Sequence, residues 1–142
     1  MKEYTTSRHI AAAPARVWAV LVDAARYGDW NPEIVAIDGN IGPGQRITAH
    51  VRLGSGKVQK VGLRVTALDA PHLMEWTGGL PFGLFVGRRT FTVDSAASGC
   101  EFRLHLEMFG LLSGPIVKSV GDRQPEIDGF ASGLKARAEG AL

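Results

Sequence analysis

The chain has 142 residues, 45% hydrophobic and 21% charged, and its 16 Lys and Arg against 14 Asp and Glu leave a formal charge of +2 at pH 7. That length sits near the commonest single-domain size and lets a chain bury roughly two thirds of its unfolded surface, while the ordinary composition excludes disordered and fibrous classes. Charges of both signs alternate without a basic stripe, which argues against a nucleic-acid partner, and no apolar run reaches the ~18 residues of a membrane span, so no membrane insertion is expected.

Glu3 to Ala11 carries Tyr4, Thr5, Thr6 and Ile10 and reads as a first strand. Pro14 opens a helix to Asp23 with Val17, Trp18, Leu21 and Val22 on one side, and Ala24 to Asp29 adds a short helical turn. Pro32 ends that stretch by driving Asn31 out of the helical region. Strands are then predicted over 33–38, 45–53, 57–68, 73–77, 84–94 and 100–109. The last alternates most clearly, with Phe102, Leu104, Leu106 and Met108 on one face and Glu101, Arg103, His105 and Glu107 on the other, as in an antiparallel strand with one wet face. Eighteen glycines, nearly twice the usual share of ~7%, punctuate these runs. Gly78-Gly79-Leu80-Pro81-Phe82-Gly83 reads as an apolar loop.

From Ser113 to Leu142 the pattern changes to helical. Ile116, Val120, Ile127, Phe130, Ala131, Leu134 and Ala138 fall within one arc of about 120°. Pro125 should kink or split this helix near Asp122–Pro125. Arg123 falls in the apolar arc and reads as an arginine whose stem packs while its head reaches water. Such a helix is too long for a surface element of so small a protein, so the sheet is expected to curve round it. The expected fold is α+β: a seven-stranded curved antiparallel sheet wrapped around a long C-terminal helix, with two short helices after strand 1.

In this order, Ala13-Pro14-Ala15-Arg16-Val17-Trp18, Asp23, Trp30-Asn31-Pro32, Phe109-Gly110-Leu111-Leu112 and Leu134 to Glu139 resemble a START-related helix-grip protein of the SRPBCC type, more narrowly its polyketide cyclase/dehydrase-like branch. The resemblance covers nearly the whole chain and implies one START-like ligand-binding domain over 1–142, holding an apolar small molecule between sheet and helix. Its relatives include lipid carriers, quinone binders, cyclases, hormone receptors and co-chaperone domains, so the fold does not choose the function. Many relatives place a His where this chain has Arg89, and His and Glu where it has Leu104 and Leu106. This polar patch has become mostly hydrocarbon.

The expected function is binding of a hydrophobic or aromatic molecule, lipid, polyketide or quinone-like. The pocket is predicted to be lined by Val51, Leu63, Trp76, Arg89, Phe91, Leu104, Leu106, Phe130 and Leu134, with Trp30 at its mouth and Phe82 and Phe85 as a lid. Arg89, on the inward parity with Phe91 and Val93, would anchor a carboxylate, phenolate or carbonyl, unless it pairs internally with Glu75 or a bulge turns it outward. A cyclase or dehydratase using the same pocket is the alternative, with Arg89 stabilising an enolate. An interaction module is a third reading, and the apolar loop would then be a partner or homodimer contact.

No catalytic residue is assigned, and whether a reaction occurs stays open. His9, His50, His72 and His105 lack metal spacing, and Cys100 is the only cysteine, so neither a disulfide, a metal nor a cofactor is expected. Met1-Lys2-Glu3-Tyr4 lacks a secretory leader pattern, which points to the cytoplasm.

Overall fold

The computed structural model describes residues 1–140. Ala141 and Leu142, read above as the end of the long helix, lie outside the described residues. Seven strands form one antiparallel sheet: β1 (Lys2–Ile10), β2 (Ile34–Asp38), β3 (Arg46–Arg52), β4 (Val58–Asp69), β5 (Leu73–Leu80), β6 (Phe85–Ala96) and β7 (Gly99–Phe109), in the order β1-β7-β6-β5-β4-β3-β2. Helix α1 (Pro14–Val22) and a 3-10 turn (Ala24–Asp29) carry the chain from one edge strand to the other. Helices α2 (Ser113–Val120) and α3 (Gln124–Ala138) close the concave face. This is the helix-grip arrangement.

The predicted interruption of the terminal helix is present, and it divides the helix completely. Gly121 at φ 76 ends α2, the Asp122 carboxylate accepts the Gln124 amide at 3.0 Å, and Pro125 occupies the first turn of α3. A proline there costs little, because its missing amide would have had no intrahelical acceptor. One glycine lets α3 dock closely: a Cβ on Gly133 would lie 2.2 Å from the Trp30 carbonyl oxygen.

The expected loop at Gly78-Gly79-Leu80 is a continuation of β5, with Gly78 opposite Gly87, Gly79 opposite Val86 and Leu80 opposite Phe85. Apolar side chains are few there, so alternation was invisible in the sequence, and backbone pairing decided the outcome. Only the 3-10 turn Pro81–Gly83 remains as the tip.

Register sorts the inner face into rows. Trp76 of β5 lies opposite Arg89 of β6, which lies opposite Leu106 of β7 and, beyond it, Tyr4 of β1. Towards one end of the sheet the next row holds Met74, Phe91 and Leu104; towards the other it holds Gly78, Gly87 and Met108. The first end is filled by rings. Phe130 of α3 sits 5.6 Å from Phe91, 6.2 Å from Phe102, 5.3 Å from Trp30 and 6.1 Å from Tyr27, in the separations that aromatic clusters favour. The second end has glycines where rings would stand, and the structure is hollow there.

Candidate functional site

The hollow is a chamber of about 200 Å³ between the concave sheet and the α2–α3 break. Its walls are mostly hydrocarbon. Ala49, Val51, Val61 and Leu63 come from β3 and β4, Leu106 and Met108 from β7, and Phe85 from the start of β6. Gly78, Gly79 and Gly87 leave the floor open, while Ile116 and Val120 of α2 form the roof. The roof helix buries no side chain fully.

One pole of the chamber is charged. Arg89 and Arg123 both border it, and both converge on Glu33, which is 1% exposed. Arg89 donates from Nη1 to Oε1 at 2.7 Å and from Nη2 to Oε2 at 2.8 Å, a two-pronged match of guanidinium to carboxylate. Arg123 Nη2 adds a third bond to Oε2 at 2.9 Å. Its Nη1 faces the Glu126 carboxylate at 3.9 Å, an ion pair beyond hydrogen-bond length. Two carboxylates thus meet two guanidiniums, and the group is neutral as a whole.

Local sequence holds this group in place. Asn31 Oδ1 accepts the backbone amides of Glu33 and Ile34, both at 2.9 Å, and the Glu33 carbonyl takes the Arg52 amide at 2.7 Å. Glu33 is therefore fixed just ahead of β2. Arg89 comes from the middle of β6, its guanidinium 5.9 Å from the Phe130 ring centre, and Arg123 comes from the residue ahead of α3. Burial alone would push the Glu33 carboxyl up, but the Arg89 guanidinium, helped by Arg123, outweighs it and holds the group below the usual carboxylate range. Burial would likewise lower Arg89, and the facing Glu33 raises it instead. Tyr27, buried against Trp30 and Trp76 and donating its hydroxyl to the Leu21 carbonyl, is pushed well up by burial. It stays a neutral phenol.

The sequence-predicted residues divide into two sets. Val51, Leu63, Phe85, Arg89 and Leu106 border the chamber. Trp30, Trp76, Phe91, Leu104, Phe130 and Leu134 do not; they are buried in the ring-filled end, where they occupy the space expected to be cavity. Phe82, expected as part of a lid, is 96% exposed and does not border the chamber.

Arg89 faces inward as its parity requires, but its partner is Glu33 rather than Glu75, which lies 3.9 Å from Arg88 on the outer face. Arg123, expected to reach water, is buried with its head on Glu33. Glu33 itself escaped sequence reasoning, since it stands only as the first residue of the predicted strand 33–38, with no partner in view. The available signal was charge accounting: two inward arginines demand a buried carboxylate.

On the opposite side of the sheet, donor atoms of Glu3, His105 and Glu107 lie within 4.8 Å of one another. Arg88 stands 3.8 Å from Glu107, so that carboxylate already faces a positive charge. Nothing connects it to the chamber.

The family profile described as "Polyketide cyclase / dehydrase and lipid transport" matches residues 1–139. No curated protein matches the chain. Among solved structures, the ZhuI aromatase/cyclase of Streptomyces sp. R1128 is similar with a TM-score of 0.77 at 14% identity, over 97% of this chain and 93% of that one. A START superfamily protein of Mycobacterium smegmatis gives 0.74 at 16% identity over 99% of both chains, and protein MLL2253 of Mesorhizobium loti 0.71 at 19% over 94% of both. At such identities the likeness establishes the fold.

Proposed function

From a chain that belongs to the polyketide cyclase, dehydrase and lipid transport family, and whose sheet and helices enclose an apolar chamber, we propose a protein that binds one compact hydrophobic or aromatic molecule there. The observation that carries this reading is the lining: mostly hydrocarbon, with the Gln59 amide on one side and one charged pole whose charges are already paired. Apolar walls with a few fixed polar groups are the usual build of a small-molecule site. An engineered apolar cavity of ~150 Å³ takes up benzene, so about 200 Å³ accommodates a substituted single ring or a short acyl chain.

Val51, Leu63, Phe85 and Leu106 are the proposed ligand contacts, and their place on the wall supports this role. Arg89 serves as a fixed polar rim rather than a free fork, because Glu33 occupies both of its terminal nitrogens. A ligand carboxylate would bring an uncompensated charge into a neutral cluster, which favours a neutral ligand bearing a carbonyl acceptor. Within the family's range that fits a ketone, ester or quinone better than a fatty acid.

The enzymatic alternative, a cyclase or dehydratase, draws support from the same pole. Two guanidiniums beside an apolar chamber would stabilise an oxyanion developing on a bound carbonyl. Binding is the favoured reading because, among the described residues, the only ionisable side chains on the wall are these arginines, and neither can act as a general base near neutral pH.

Native mass spectrometry of freshly purified protein, followed by titration with a small aryl ketone and its matched carboxylate, tests the proposal. The expected results are a copurified small molecule, tighter binding of the ketone, and loss of both in Leu63→Trp, whose indole fills the chamber. Failure of every apolar probe to bind would overturn it.

A further inference from the structure

The convex face of the sheet holds a depression that lies back to back with the chamber. The ladder between β4 and β5 runs from Asp69 opposite Leu73 to Arg64 opposite Thr77, and ends there. Beyond it β4 continues to Val58 against β3 alone and β5 to Leu80 against β6 alone, so the sheet forks. In the fork is an open notch of about 430 Å³. Arg46 and Thr48 of β3, Arg64 of β4 and Thr77 of β5 form its sides, at the outward positions that alternate with buried Ile47, Ala49, Val65 and Trp76.

The charge in the notch is uncompensated. Arg46 stands directly opposite Arg64, and like charges facing each other across antiparallel strands are destabilising. Among the described residues neither has a carboxylate within ion-pair distance. Arg64 is fixed by a bond from Nη1 to the Gly44 carbonyl at 3.0 Å, which leaves its other guanidinium nitrogens free. The carboxylates that register brings beside the notch are already engaged. Asp38, opposite Thr48, faces His50 at 2.8 Å, and Glu75 accepts from the Thr66 hydroxyl at 2.7 Å.

Three glycines border the notch, and one of them is not required by the fold. A Cβ on Gly78 would lie 2.3 Å from the Gly62 carbonyl oxygen, and Gly79 sits at φ 138, so the backbone imposes both. Gly62 is not at positive φ, stands opposite Thr48, and a Cβ there would meet nothing within 4 Å. Glycine in mid-strand weakens the strand and often marks a place where a ligand or another backbone approaches closely. No part of this chain approaches Gly62 on that side. It leaves a bare floor beside two guanidiniums.

We propose that this notch binds a phosphate group, free or carried on a small soluble ester. A phosphate near its dianionic form matches the two guanidinium charges, and each guanidinium offers paired donors to its oxygens. The Thr48 hydroxyl, unbonded among the described residues, adds a further donor. Thr77 does not, because Thr66 gives its proton to Glu75 and so takes that of Thr77 at 2.9 Å. A carboxylate is the poorer occupant, since its single charge leaves one arginine uncompensated. The site is separate from the chamber: Leu63, Gly78 and Gly79 border both and stand between them.

Isothermal titration calorimetry of the full chain at low salt tests it, with glucose 6-phosphate, inorganic phosphate and glucose as probes. Saturable binding of glucose 6-phosphate is expected, weakened several-fold in roughly 0.15 M salt, and none of glucose. Inorganic phosphate binding as tightly as the ester assigns the site to the free ion, and tighter binding of the ester assigns it to an esterified group. Gly62→Asp puts a carboxylate on the floor of the notch and should lower affinity by about tenfold or more. In phosphate-free buffer the same variant should melt at an unchanged or higher temperature, because the new charge faces two guanidiniums. Arg46→Gln should also weaken binding about tenfold. Arg52→Gln removes the same charge from the same face outside the notch and should not. Uptake of the aryl ketone by the chamber should be unaffected by Gly62→Asp, so an empty chamber is told apart from an empty notch. The proposal is overturned if glucose 6-phosphate shows no saturable binding, if Gly62→Asp binds it as the wild type does, or if Arg52→Gln weakens it as much as Arg46→Gln.

Discussion

The two ends of the concave face are built from the same strands in the same register, yet one is solid and the other hollow. Under α3, Phe91, Phe102, Trp76 and Phe130 interlock. Under α2, Gly78 and Gly87 face each other and aliphatic side chains stand back from a void. Between them lies the Glu33, Arg89 and Arg123 cluster. Facing inward therefore does not by itself make a residue part of a cavity; what matters is whether the opposing positions carry enough volume to fill the space.

The difference can be broken most forcefully from the solid side. Phe130→Ala removes a ring packed against four others and is expected to cost about 4–5 kcal/mol, read by urea denaturation. Glu33→Gln, at the boundary, leaves two buried guanidiniums without their carboxylate and should cost about 3–4 kcal/mol. If it cost less than Leu106→Ala, the cluster would not be the keystone between the two ends.

Glu33 also sets a pH dependence. Its carboxyl is held below the ordinary value of 4.5 in the folded protein, so its contribution is present above that pH and fades as the pH falls below it. The wild-type melting temperature should drop below pH 4.5 more steeply than that of Glu33→Gln, as followed by circular dichroism.

On the hollow side, effects should shrink. Leu106→Ala enlarges a space that already exists, and about 2 kcal/mol, the bottom of the usual range, is expected. Gly114→Ala in α2 has nothing within 4 Å of the added methyl and should be neutral or stabilising by up to about 1 kcal/mol.

Much of this fold could be read from alternation. Phe102, Leu104, Leu106 and Met108 are all buried as their parity requires, and Ile127, Phe130, Ala131, Leu134 and Ala138 form the buried face of α3. Parity reports direction, which is local. It does not report volume, which depends on strands that meet only after folding, and so Trp76, Phe91 and Phe130 were expected to line a cavity that they fill. The Glu33 cluster was hidden for a related reason: its members lie 56 and 90 positions apart, and no local pattern joins Glu33 to Arg89 or Arg123.

The division of the closing rod into two pieces separates the part that packs the core from the part that roofs the proposed binding chamber. Helix α2 touches the sheet mainly through β7 and is bracketed by Gly110 and Gly121, both at positive φ, whereas α3 carries the packed rings. Substitutions on the solvent side of α2 should therefore cost little, while Val117 and Val120 keep the helix against the core. A lineage carrying this scaffold has a short cassette through which to acquire new molecular preferences while its foundation stays untouched.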